Sequence, residues 1–169
     1  MEEEILIMKS PTYGRVTVEE MVSKIIDYIK VDELANYEIA IGTDSQNFDK
    51  TKIVLSVVAR RVGKGGIFFY NIKYIDLIKN VKEKLNHETY MSLELANEFM
   101  DILEKKKESN EFNYEDYNIN FQVHVDAGYN GPTSALIPAL TAWVKAYGYD
   151  VSVKPESFAA SSIANKYSK

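Results

Sequence analysis

Ile119-Asn120-Phe121-Gln122-Val123-His124-Val125-Asp126-Ala127-Gly128-Tyr129-Asn130-Gly131-Pro132-Thr133 is the stretch on which the fold turns. Its first seven residues alternate apolar and polar, the period of a strand with one buried face. The alternation stops at Asp126. Two glycines follow, and Pro132-Thr133 signals a helix start ahead of Leu136, Ile137, Leu140, Trp143 and Val144 at helical spacing. Pro138 falls within the first two turns, where it is tolerated or kinks the helix slightly. Gly148 ends this helix, and residues 149–153 read as a further strand. A right-handed crossover then makes the two strands parallel.

Upstream, Thr17-Val18-Glu19-Glu20 is a capping box. Val18, Met21, Val22, Ile25, Ile26 and Ile29 repeat behind it, which predicts an amphipathic helix over 18–30. Three β-rich runs follow at 37–43, 52–61 and 66–76, separated by short loops that suit an antiparallel meander. Gly63-Lys64-Gly65-Gly66 is a turn and not a phosphate loop, because strand follows it instead of helix. Met91, Leu95, Phe99, Ile102 and Leu103 predict a long helix over about 88–107, with lysines closing its last turn. A short helix is expected at 158–167. The element order α-β-β-β-α-β-α-β-α gives a mixed sheet covered by helices, an α/β domain.

The composition narrows the chemistry. The chain has 169 residues, the length of one domain spanning 1–169. It has no cysteine, which excludes disulfides, thiolate metal sites and a cysteine nucleophile. Two histidines leave little room for imidazole metal sites or a Ser-His-Asp triad. Met1-Glu2-Glu3-Glu4 has the wrong charge for a signal peptide, and no apolar run is long enough to span a bilayer. A cytoplasmic location is therefore expected. The net charge of -5 lacks the basic excess of a non-specific nucleic-acid binder. Lysines do cluster at Lys79, Lys82 and Lys84, at Lys105 to Lys107, and at Lys154, Lys166 and Lys169; such clusters are ordinarily solvated faces. What remains is carboxylate chemistry.

Asp44 in Ile41-Gly42-Thr43-Asp44-Ser45-Gln46 and Asp126 each stand at the end of a predicted strand. Singly, either Asp is an ordinary turn residue. Side by side on parallel strands, both carboxylates emerge at one sheet edge, where ligands bind in open α/β sheets. Two carboxylates in one crevice repel, and a divalent cation is the usual remedy. Gly128 and Gly131 allow close backbone approach, and a helix opening at Thr133 would offer amides to an anion. His124 lies on the same strand face as Asp126 and reads as a supporting residue. Lys154 follows the last strand and reads as a phosphate contact.

These residues resemble the ribonuclease H-like superfamily. Gly42-Thr43-Asp44-Ser45 resembles its first-strand aspartate motif, Ser92-Leu93-Glu94-Leu95-Ala96 its helical glutamate motif, and Asp126 the aspartate ending its fourth strand. The C-terminal Ile163-Ala164-Asn165-Lys166 resembles its last helix, with Asn165 where active ribonucleases carry an aspartate. Stretches 123–133 and 153–169 resemble the bacterial YkuK-type branch, a former domain of unknown function. The resemblance implies a five-stranded mixed sheet, three antiparallel strands and then two parallel ones, with helices on both faces and an extra N-terminal helix. It implies Mg²⁺ or Mn²⁺ held by Asp44, Glu94 and Asp126 as metal-binding and catalytic residues. Ser45, Gly128, Asn130, Gly131, Thr133 and Lys154 would contact substrate, and His124 and Asn165 would support the site.

Two functional readings follow. One is a divalent-metal-dependent nuclease or phosphodiesterase acting on RNA or DNA. The alternative is a non-catalytic nucleic-acid or protein-binding module with a degenerate site, favoured by the acidic charge and by Asn165. A nucleotide phosphate loop as in sugar kinases is disfavoured by the short chain. Oligomeric state is left open.

Overall fold

The computed structural model describes residues 5–154. Its centre is the long β3 strand (Asn36–Asn47), which pairs antiparallel with β4 (Thr51–Arg61) on one side and parallel with β6 (Asn118–Gly128) on the other. β5 (Gly66–Ile75) continues the meander, and β7 (Asp150–Lys154) lies parallel to β6. The two parallel pairings are those expected from the alternation of strand and helix.

The expectation of five strands needs correction. β1 (Ile7–Ser10) and β2 (Gly14–Thr17) form a short hairpin that extends the sheet to seven strands in the order β2-β1-β5-β4-β3-β6-β7. Four-residue strands carry too little periodicity to stand out in a sequence. Their place is fixed by pairing, at Lys9 opposite Tyr70 of β5 and by the Asn71 side-chain amide donating to the Ile7 carbonyl at 2.9 Å.

The first helix, α1 (Val18–Val31), begins at the predicted capping box. Thr17 Oγ1 accepts from the Glu20 amide at 3.1 Å, and Glu20 Oε1 accepts from the Thr17 amide at 3.2 Å. The six apolar residues read from its periodicity are the six it buries. α2 (Val81–Glu108) starts seven residues before the expected 88. Asn80 caps it, accepting from the Glu83 amide at 3.0 Å, and Leu85 is buried in its second turn. α3 (Ile137–Ala146) starts later than Thr133, after a single 3₁₀ turn (Ser134–Leu136), so Pro138 sits in the first turn where its missing N–H costs nothing.

Ile39, Ile41, Leu55, Val57, Phe69, Val123 and Val125 share one sheet face and one core with buried residues of all three helices. The opposite face carries a smaller cluster, Val54 with Phe68, Tyr70 and Ile72. Among the described residues the helices therefore lie on one face; the helix expected at 158–167 lies outside them. Among the same residues, no helix is long and apolar enough to cross a membrane.

The β4–β5 turn shows how tightly the meander closes. Gly63 and Gly65 adopt φ of +79° and +89°, which disfavours any side chain. Gly66 is extended, but a Cβ there would stand 2.6 Å from the Ala59 carbonyl oxygen and 3.1 Å from Arg60 Cα. Both are backbone atoms held in the ladder and cannot swing away. Gly66→Ala should lower stability by roughly 1–3 kcal/mol, the cost of overpacking, as read by urea unfolding; a loss within error would show that the turn has slack.

Candidate metal centre at the fork of β3 and β6

The parallel ladder between β3 and β6 runs from Asn36 opposite Asn118 to Gly42 opposite His124. Beyond that pair the strands part, while β3 stays paired with β4 through Asp44 opposite Val54. Asp44 and Asp126 each stand two residues past the last parallel pair, one on either side of the fork. Asp44 is thus not at a strand end, as the sequence suggested; β3 continues to Asn47. The two carboxylates nevertheless meet.

The third carboxylate is Glu88. Carboxylate oxygens of Asp44, Glu88 and Asp126 all lie within 4.8 Å of one another. The expectation that Glu94 approaches from the helix is corrected by this geometry. Glu94 lies six residues further along α2, about 120° around a helix of 3.6 residues per turn. It is exposed, and its Oε1 accepts from the Tyr90 hydroxyl at 2.7 Å. Glu88 is only 6% exposed. It falls on the buried stripe that links Leu85 to Ser92, Ala96, Phe99 and Leu103. An acidic residue in step with the core stripe, three residues before Met91 and seven before Leu95, is the signal the sequence offers.

Two hydroxyls set the register of α2 on β3. Thr43 Oγ1 and Ser92 Oγ share a hydrogen bond of 2.7 Å, both buried. One helical turn earlier, Ser45 Oγ donates to Glu88 Oε1 at 3.0 Å. The Ser45 amide donates to Asp44 Oδ1 at 2.9 Å. Ser45 therefore holds two of the three carboxylates.

The electrostatics follow from this crowding. Burial, then the hydrogen bond and negative charge of Asp126, raise the Asp44 pKa from 3.8 to about 7. Burial, then the charges of Asp44 and Asp126, raise that of Glu88 from 4.5 to about 8. Lys154 pairs with Asp126, Nζ to Oδ1 2.7 Å, and its own pKa rises through that hydrogen bond. Three hard oxygen donors with too little positive charge between them suit Mg²⁺ or Mn²⁺.

The other residues singled out in the sequence divide around this point. His124 is buried on β6, with Nε2 3.2 Å from Gln122 Oε1, which also accepts from Ser152 Oγ at 2.7 Å. Burial lowers its pKa to about 4, so the ring is neutral at physiological pH. The Gly128 amide donates to Thr133 Oγ1 at 3.2 Å, closing the loop between them. A 3₁₀ turn follows in place of the α-helical amino terminus predicted at Thr133. Asn130 and Gly131 are exposed on the same loop. Asn165 lies outside the described residues.

The family profile "Ribonuclease H-like" matches residues 20–169. The chain belongs to that family. It is 30% identical over 160 residues to "Uncharacterized protein YkuK" of Bacillus subtilis (strain 168), covering 92% of this chain and 93% of that protein. No solved structure matches it.

Raised acid pKa values make the site's contribution to stability depend on pH. The folded chain holds protons on Asp44 and Glu88 that the unfolded chain releases near their ordinary values of 3.8 and 4.5. Their stabilising contribution is full below about pH 4 and is lost as pH rises through about 7 and about 8. In chelator, thermal unfolding should show stability falling across that window. Glu88→Gln should flatten the fall, and Glu94→Gln should leave it as in wild type. A Glu94→Gln effect equal to that of Glu88→Gln would contradict the assignment.

Proposed function

We propose that the protein is a divalent-metal-dependent phosphodiesterase acting on nucleic acid. The observation that carries this reading is the convergence of Asp44, Glu88 and Asp126 at the fork between two parallel strands. Membership of the ribonuclease H-like family agrees with a role connected with nucleic acid, and the acidic triad with metal binding. When bound, Mg²⁺ or Mn²⁺ would supply polarisation of a phosphate oxygen and activation of water.

The chain's own residues would do the rest. Asp44, Glu88 and Asp126 hold the ion, and Ser45 orients the first two. Gly128 to Thr133 forms a loop beside Asp126 whose closure by Thr133 leaves Asn130 and the Gly131 backbone exposed to a phosphate. Tyr129, exposed on that loop, offers a ring face on which a base can stack. Lys154 reaches the same edge with a positive charge. His124, neutral and turned toward Gln122, supports β6 and does not serve as a proton donor at neutral pH.

A second reading, a non-catalytic nucleic-acid or protein-binding module, is favoured by the net charge of -5. One experiment separates the two. Wild type should cleave at least one of single-stranded RNA, DNA or an RNA–DNA hybrid in Mn²⁺, and not in EDTA. Asp44→Asn and Asp126→Asn should each reduce the rate by 10²-fold or more, the order of magnitude for losing charge stabilisation at a reacting centre. Binding without cleavage in wild type, unchanged in both variants, would establish the second reading.

A further inference from the structure

Lys154 is placed by a device in the sheet. The ladder between β6 and β7 shifts register after His124 opposite Ser152 and resumes at Gly128 opposite Lys154. This irregularity brings the last residue of β7 beside Gly128, two positions past Asp126. A Cβ on Gly128 would stand 3.2 Å from Lys154 Cβ and 3.7 Å from its Cδ. Glycine at that position leaves the lysine stem its path across β6. Nζ then sits 2.7 Å from Asp126 Oδ1, although the side chain is 52% exposed and could otherwise extend into water.

We infer that Lys154 takes the place of a second metal ion, so that Asp44, Glu88 and Asp126 hold a single divalent cation. The inference rests on the metal-site reading above. Among the described residues, the three carboxylates, once a cation has displaced their protons, stand against one ammonium and leave two net negative charges, which one divalent ion neutralises. A second ion would have to displace the ammonium from Asp126 or sit against its repulsion. Lysine supplies a compact point charge with three donors, able to contact Asp126 and a phosphate oxygen together.

The test is calorimetric titration of Mn²⁺ into the full chain near pH 8, with no substrate present. Wild type and Lys154→Arg should bind one ion per chain, and Lys154→Met should bind two. Thermal unfolding in EDTA checks that Lys154→Met is folded, as expected for a half-exposed side chain. Two ions in wild type, or a single site in folded Lys154→Met, would overturn the inference while leaving the metal-site reading intact. No Mn²⁺ binding by any of the three proteins would overturn both. A second readout is nuclease activity against Mn²⁺ concentration, which should be hyperbolic in wild type and sigmoidal in Lys154→Met.

Discussion

The parallel pairing of β3 with β6, and its end at Gly42 and His124, is the constraint on which the site depends. Were the ladder to continue, Asp44 and Asp126 would be spent on pairing positions in a closed sheet. Were it to end sooner, they would be too far apart to share a cation. α2 is then locked to β3 through Thr43–Ser92 and Ser45–Glu88, which brings in the third carboxylate. The resulting like charges oppose folding at neutral pH. They are tolerated because the same elements carry the core: Ile39, Ile41, Val123 and Val125 pack under α2 at Leu95, Ala96 and Phe99. Burial of each such side chain contributes roughly 1.5–3 kcal/mol, enough for a few of them to outweigh local repulsion.

Positive charge reaches the site from the strand on the other side. The shifted register of β7 on β6 puts Lys154 against Gly128 and its ammonium on Asp126. The three carboxylates are thus treated unequally. Asp126 has an ion-pair partner. Asp44 and Glu88 accept hydrogen bonds from Ser45, Asp44 shares a further one with Asp126, and theirs are the carboxyl groups whose pKa values are pushed toward and beyond neutrality. The open electrostatic demand lies between β3 and α2, which is where a cation would be held most strongly.

Much of this was legible in the sequence because it rested on periodicity. The alternation over 119–125 and the β-rich run over 37–43 each pointed to one Asp, and the handedness of crossovers made their strands parallel. Glu88 was less legible by the same means. A glutamate on a helix is ordinarily solvated, and the full extent of α2, set by the Asn80 cap and Leu85, shows that this one lies in the core stripe. Glu94, between two leucines, looked the better candidate, but the leucines flank it on the buried side and leave it facing water. The β1–β2 hairpin escaped because short strands are defined by partners and not by pattern. The helix expected at Thr133 begins instead at Ile137, after a 3₁₀ turn over Ser134–Leu136.

Anomalous diffraction from crystals of the full chain grown with Mn²⁺ tests the central claim most directly. The account predicts a manganese peak at the fork of β3 and β6, within bonding distance of oxygens from Asp44, Glu88 and Asp126, with Glu94 still facing solvent. A peak ligated by Glu94 in place of Glu88, or Mn²⁺-saturated crystals without a peak at the fork, would contradict it.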